Sequence, residues 1–176
     1  MRIPLFEAAA VNDTGSDDIA ALARTYGPNV FRAAWRVLGS RAAAEDVQQQ
    51  LFLRLIESPP QRVDSWPAYL TAAATRLAID HLRRQRRWRM LAPLWKSDPP
   101  EDAPDEDVAR QQASRFMRAA LSRINERDAS CFVLRHLHGL SPAAIGAALG
   151  ISENHVSVSV HRARKALEAM QAKEPV

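Results

Sequence analysis

Apolar positions in this chain recur every three or four residues, in blocks separated by glycine and proline. The first block covers 17–38, where Ile19, Leu22, Tyr26, Val30, Ala33, Ala34 and Val37 form a broad stripe. That spacing predicts an amphipathic helix. Gly27-Pro28 should disturb it, because proline lacks an N–H and crowds the preceding turn. Gly39-Ser40 should end it. A second helix is predicted over 42–57, with Val47, Leu51, Phe52 and Leu55 inward and Glu45, Asp46, Gln49 and Gln50 mostly on another face. Ser58-Pro59-Pro60 stops it, and 58–65 reads as a loop. Ser65-Trp66-Pro67 opens a third helix to about 88, with Leu70, Ala73, Leu77 and Leu82 inside. Pro93 breaks any continuation.

The pattern then changes. Residues 91–107 hold Pro93, Pro99, Pro100 and Pro104 among Asp98, Glu101, Asp102, Asp105, Glu106 and Asp107. Such a composition cannot bury a core and reads as an extended linker. Helical spacing resumes near Val108. Phe116, Ala120 and Ile124 mark one helix, ended near Asn125; another is predicted over 128–138, ended by Gly139. Residues 1–16 read as a loose tail. The expected fold class is all-α: two small helical domains, 17–90 and 108–171, joined by a flexible acidic linker, 91–107.

The stretch 141–170 carries the sharpest signal. Ser141 can cap a helix that has Pro142 in its first position, where a missing N–H costs nothing. Ile145, Ala148 and Leu149 share one face, and Gly150 can take the left-handed conformation that leaves the helix. Ser152 can cap a second helix, in which Val156, Val160, Ala163 and Leu167 recur at helical spacing. This is a helix-turn-helix, a device that lays its second helix in the DNA major groove.

Composition narrows the function. With 176 residues the chain suits one or two small domains. Only 6% of residues are aromatic and alanine is abundant, which favours small helical domains over a β-sandwich. The net charge of +4 suits a polyanionic partner. Cys131 is the only cysteine, so an intrachain disulfide is impossible. A metal site at Cys131, His136 and His138 is disfavoured: Cys131 and His138, seven apart, could share a helix face, but His136 would point elsewhere and no further cysteine is available; Cys131 is expected in the core among Phe132, Leu134 and Leu137. No apolar run approaches membrane-spanning length, and the N-terminus lacks a secretory pattern; both point to the cytoplasm. No phosphate-binding glycine loop, zinc-protease motif or nucleophile elbow occurs, so an enzyme, a cofactor and a metal are not expected.

Two clusters remain. Arg83, Arg84, Arg86, Arg87 and Arg89 follow Arg76 and Asp80 on the third helix. Neighbouring arginines repel unless an anion neutralises them, and guanidinium matches phosphate geometry. Trp88, inside the run, can stack on an unpaired base. The bland alternative is a solvated helix end that complements the helix dipole. Glu45, Asp46, Gln49 and Gln50 form a polar patch, either a solvated surface or a protein-docking site.

The layout resembles the bacterial extracytoplasmic-function (ECF) sigma factors, group IV of the sigma-70 family of RNA polymerase specificity subunits. AAAEDVQQQLFLRL at 42–55 resembles the family's polymerase-docking helix, WPAYLTAAATRLAIDHLRRQRR at 66–87 its minus-ten-reading helix, and LSPAAIGAALGISENHVSVSVHRARKAL at 140–167 its minus-thirty-five-reading helix-turn-helix. The resemblance covers 17–170. The Trp66-Pro67-Ala68-Tyr69-Leu70 opening leans toward the iron-transport type.

The resemblance implies that Glu45, Asp46, Gln49 and Gln50 dock on the clamp helices of the largest core polymerase subunit. It implies that loop 58–65 holds a flipped base, and that Arg62, Asp64, Arg76, Asp80, Arg83, Arg84, Arg87 and Trp88 serve the minus-ten region. Ser152, Asn154, His155, Ser157, His161, Arg162 and Arg164 would face the minus-thirty-five groove or its phosphates. The linker would thread toward the polymerase active-site cleft, the helix-turn-helix would meet the flap, and an anti-sigma factor is an expected partner.

Four positions depart from the family pattern. Arg76 replaces a frequent asparagine, and Gln50 replaces an acid. Ser157 and Ser159 stand where lysine and arginine are common, a loss of phosphate contacts that should weaken duplex binding. The competing readings are a stand-alone helix-turn-helix regulator, with 17–90 as a dimerisation or ligand domain, and an adaptor that binds only polymerase. The arginine run and acidic linker argue against the first. The second leaves the recognition helix unexplained.

Overall fold

The computed structural model describes residues 16–91 and 108–173. The N-terminal tail and the acidic linker beyond Leu91, with Pro93, lie outside the described residues. Within them the chain forms seven helices and no strand: α1 (Ser16–Leu38), α2 (Arg41–Glu57), α3 (Trp66–Leu91), α4 (Val108–Leu121), α5 (Glu126–His136), α6 (Pro142–Leu149) and α7 (Glu153–Gln171). The fold is all-α, as the spacing predicts.

α1 is continuous through Pro28, so the Gly27-Pro28 pair does not end the helix. Its buried stripe continues on both sides of the proline, through Ile19, Val30, Ala33, Ala34 and Val37, against α2 and α3. Packing of that stripe outweighs the ~3 kcal/mol that an interior proline disfavours. Ser40 caps α2, its Oγ accepting from the Ala43 N–H at 3.3 Å. Val47, Leu51 and Leu55 are buried in α2, while Phe52 packs at the edge of the core.

α3 is the central helix. Nine residues between Leu70 and Leu82 are buried, among them Ala72, Ala74, Thr75, Ala78 and Ile79 as well as the expected Leu70, Ala73, Leu77 and Leu82. A helix buried this far around its circumference must be covered on more than one side. α1 and α2 cover one side; α4, α5 and α6 pack on another. One hydrophobic cluster therefore joins Val30, Leu51 and Leu77 to Leu121, Ile124 and Val133. A second joins Ala72 of α3 to Cys131, Leu134, Ile145 and Val156. The two helical groups lie face to face along α3, an arrangement that two independent amphipathic patterns do not announce.

α5 starts at Glu126, two residues earlier than expected, because the Asn125 side chain accepts from the Arg127 N–H at 3.0 Å. It ends at His136, so His138 lies beyond the helix and does not share a helical face with Cys131. Cys131 is fully buried against Leu134, Ile145 and Val156, with Phe132 and Leu137 in the neighbouring cluster. No helix among the described residues is long and apolar enough to cross a membrane.

Candidate nucleic-acid interface

The helix-turn-helix forms as its caps dictate. Ser141 Oγ accepts from the Ala144 N–H at 3.1 Å, and Pro142 occupies the first helical position. Gly150 ends α6 in the left-handed region at φ 66°. Ser152 Oγ then accepts from the His155 N–H at 3.3 Å and starts α7. Gly146 makes the turn tight: a Cβ there would lie 2.6 Å from the Ile151 carbonyl oxygen. That oxygen belongs to a residue whose own N–H donates to the Gly146 carbonyl at 3.0 Å.

Val156, Ser159, Ala163 and Leu167 bury one side of α7. Asn154, His155, Ser157, His161, Arg162 and Arg164 are exposed, as is Glu153. Ser157 Oγ donates to the Glu153 carbonyl at 3.0 Å, and Arg164 pairs with Glu168 at 3.7 Å. Ser152 is spent on its cap. Ser159 differs from expectation: it is buried and hydrogen-bonds Cys131. A core position carries no phosphate contact, so the departure there has no bearing on duplex binding. Burial pushes the Cys131 thiol up to about 11 despite that hydrogen bond, so it stays a neutral packing group. Val158, exposed on the same side as Asn154 and His161, offers an apolar contact that sequence reasoning does not single out.

The basic helix divides in two along its length. Arg84, Arg86, Arg87, Trp88 and Arg89 are exposed at its C-terminal end. Arg84 pairs with Asp80 at 3.4 Å, one turn back. Arg76 and Arg83 are engaged instead with the second helical group. Arg76, only 13% exposed, pairs with Glu126 of α5 at 3.4 Å. Arg83 donates to the Ile124 carbonyl at 2.8 Å. Glu126 carries no sequence signal for this role, since an acid in the first turn of a helix is already accounted for by the dipole.

Loop 58–65 is mostly exposed, with Arg62 and Asp64 3.6 Å apart. The Trp66 and Tyr69 rings meet edge to face at 5.9 Å where α3 begins. Burial holds the Tyr69 phenol neutral, up at about 12, although nearby Arg76 pulls the other way.

On α2, Glu45 is exposed and pairs with Arg41 at 2.9 Å. Asp46, Gln49 and Gln50 line a shallow depression with Leu53, Arg54 and Glu57. Leu53 and Ile56 are 58% and 55% exposed beside it. Polar groups around large exposed apolar side chains make a surface suited to a protein partner. No group of three or more potential metal ligands occurs among the described residues.

The comparisons with known proteins agree with this layout. The Sigma-70 region 2 family matches residues 22–88, and the Sigma-70, region 4 family matches residues 117–167. The chain is 32% identical to the ECF RNA polymerase sigma factor SigE of Mycolicibacterium smegmatis, over 93% of this chain and 67% of that protein. It is 25% identical to the ECF RNA polymerase sigma factor BldN of Streptomyces coelicolor, over 86% of this chain and 60% of that protein. The fold is similar, at a TM-score of 0.56 and 16% identity, to that of the sigma factor RpoE in its complex with the anti-sigma factor NepR from Bartonella quintana; the match covers 90% of this chain and 99% of that one. An all-helical chain with a basic central helix and a helix-turn-helix is thus a sigma-70-type transcription factor. It belongs to the ECF RNA polymerase sigma factors. A stand-alone helix-turn-helix regulator is not favoured.

Proposed function

We propose that this chain directs promoter-specific transcription initiation by joining core RNA polymerase to two promoter elements. The observation that carries the reading is the pairing, in one chain, of a recognition helix open to solvent with a second helix ending in exposed arginines and Trp88. Asn154, His155, Ser157, His161 and Arg162 serve the minus-thirty-five duplex, with Ser152 fixing the helix start and Arg164 reaching its phosphates. Val158 suits a thymine methyl. Arg62, Asp64, Asp80, Arg84, Arg87 and Trp88 serve the minus-ten strand, stacking and phosphate contacts offsetting the few kcal/mol of base unstacking. Loop 58–65 accommodates the flipped base.

Arg76 and Arg83 join that surface only after α5 has left α3, because Glu126 and the Ile124 carbonyl hold them. Glu45, Asp46, Gln49 and Gln50 dock on the polymerase clamp helices, and the helix-turn-helix group meets the flap. The family and the depression beside Leu53 support this reading. The domain division 17–90 and 108–171, the iron-transport type suggested by the Trp66–Leu70 opening, and action in the cytoplasm without enzymatic activity complete it. The complex of the similar sigma factor supports an anti-sigma factor as partner.

Gel filtration of the chain with core polymerase tests the docking. Wild type should co-elute with core, and a Glu45→Arg/Asp46→Arg chain should lose most of that binding. Equal co-elution of the two would remove the assigned patch; failure of wild type to co-elute would remove the function.

A further inference from the structure

The outward face of α7 is not uniform. Val156, Ser159, Ala163 and Leu167 fix which side of the helix is buried. At about 3.6 residues per turn, the opposite meridian carries Asn154, Val158, His161 and Lys165, all exposed. Glu153, Ser157, Arg164 and Glu168 fall on one flank and pair among themselves: Ser157 Oγ donates to the Glu153 carbonyl at 3.0 Å, and Arg164 meets Glu168 at 3.7 Å. His155 and Arg162 stand on the other flank.

Val158 is the apolar member of the outward meridian. It is 37% exposed and belongs to neither hydrophobic cluster, so core packing does not account for it. Helix propensity does not account for it either, because a β-branched side chain is a poorer helix former than alanine. Its neighbours one turn away on α7, Asn154 and Arg162, are polar and exposed.

The groove decides what such a side chain meets. The major groove is about 12 Å wide and admits a helix of about 10–12 Å diameter, so the outermost meridian reaches base edges while the flanks reach phosphates. Valine neither donates nor accepts a hydrogen bond. Of the groups on major-groove base edges, only the thymine C5-methyl is apolar. Against an amino group or a ring nitrogen, the isopropyl group would displace water without replacing its hydrogen bond. The branched Cβ also holds the two methyls in essentially one rotamer, which fixes the contact in place.

Granted the promoter reading proposed above, on which this rests, we infer that Val158 is a specificity-determining residue that selects a thymine in the minus-thirty-five duplex through its C5-methyl group. Asn154, one turn earlier on the same meridian, reads the polar groups of a nearby base pair. Cytosine at the Val158 position presents an amino donor and no methyl, and is rejected.

Replacement of thymine by deoxyuridine, which removes the methyl and leaves every hydrogen-bonding group in place, tests the assignment. Holoenzyme made from core polymerase and the full chain is given a promoter fragment recovered from a genomic library, with each thymine of the minus-thirty-five region replaced in turn. One replacement should weaken wild-type binding about fourfold, the effect of one methyl withdrawn from water, and the others should change little. Holoenzyme with Val158→Ala should bind the unmodified fragment more weakly and show no loss at that replacement, whereas Val158→Ile should retain the loss. Wild-type binding indifferent to every replacement, or an equal loss in wild type and Val158→Ala, would overturn the assignment with the promoter function intact. No binding of any genomic fragment by the wild-type holoenzyme would overturn that function and the assignment together.

Discussion

At the residue scale, His138 shows how burial writes a pH dependence into the molecule. Its Nε2 is buried without a hydrogen-bond partner. Burial, and secondarily the Arg36 charge, lowers its pKa to about 4 from the ordinary 6.5. The unfolded chain takes up this proton below pH 6.5, whereas the folded chain stays neutral until about pH 4. Stability is therefore complete above pH 6.5 and declines as pH falls toward 4, at roughly 1 kcal/mol per pH unit. Denaturant melts at pH 7 and pH 5 should show a drop in wild type that His138→Gln largely removes; equal drops would refute the assignment. Leu134 and Ile145, both fully buried in the cluster around Cys131, make a second case. Leu134→Ala should cost about 2–5 kcal/mol by the same melts. Sequence spacing identifies such core positions well. It misplaces Ser159, because serine gives no apolar signal and only the phase of Val156 and Ala163 reveals its inward direction.

At the scale of elements, the helix-turn-helix was the most legible part, since Ser141, Pro142, Gly150 and Ser152 each impose a local conformation regardless of neighbours. Gly146 was not legible as a special position: inside a helix it reads only as a poor helix former. Its meaning comes from the returning chain, where Ile151 leaves no room for a Cβ. Gly146→Ala should therefore reposition α7 and weaken binding to a minus-thirty-five duplex more than tenfold, with helix content by circular dichroism nearly unchanged. An Ala variant with undiminished duplex affinity would contradict the close approach. α3 was half legible. One apolar stripe was evident, but the small residues Ala72, Ala74, Thr75 and Ala78 conceal a second, because alanine is as compatible with an exposed helix as with a tight interface. Pro28 misleads for a related reason: a local signal was outweighed by packing along the whole of α1.

At the scale of the molecule, the two surfaces proposed to read DNA stand in unequal states. α7 presents its outward face freely, whereas α3 shares Arg76 and Arg83 with the second helical group. No single-helix pattern contains that fact, since the contacts join residues 50 and 41 positions apart. Glu126→Gln removes the charge that holds Arg76 and should raise the free chain's affinity for a single-stranded minus-ten oligonucleotide several-fold; an unchanged affinity would mean that the α3–α5 contact does not restrain this surface. The central claim, that the chain confers promoter choice on RNA polymerase through α2, α3 and α7, is tested most directly by run-off transcription with core polymerase on a fragment library from the source genome. The account predicts new start sites that appear only with this protein and vanish with the Glu45→Arg/Asp46→Arg chain. Transcripts indifferent to the protein, alongside tight duplex binding by the protein alone, would contradict it.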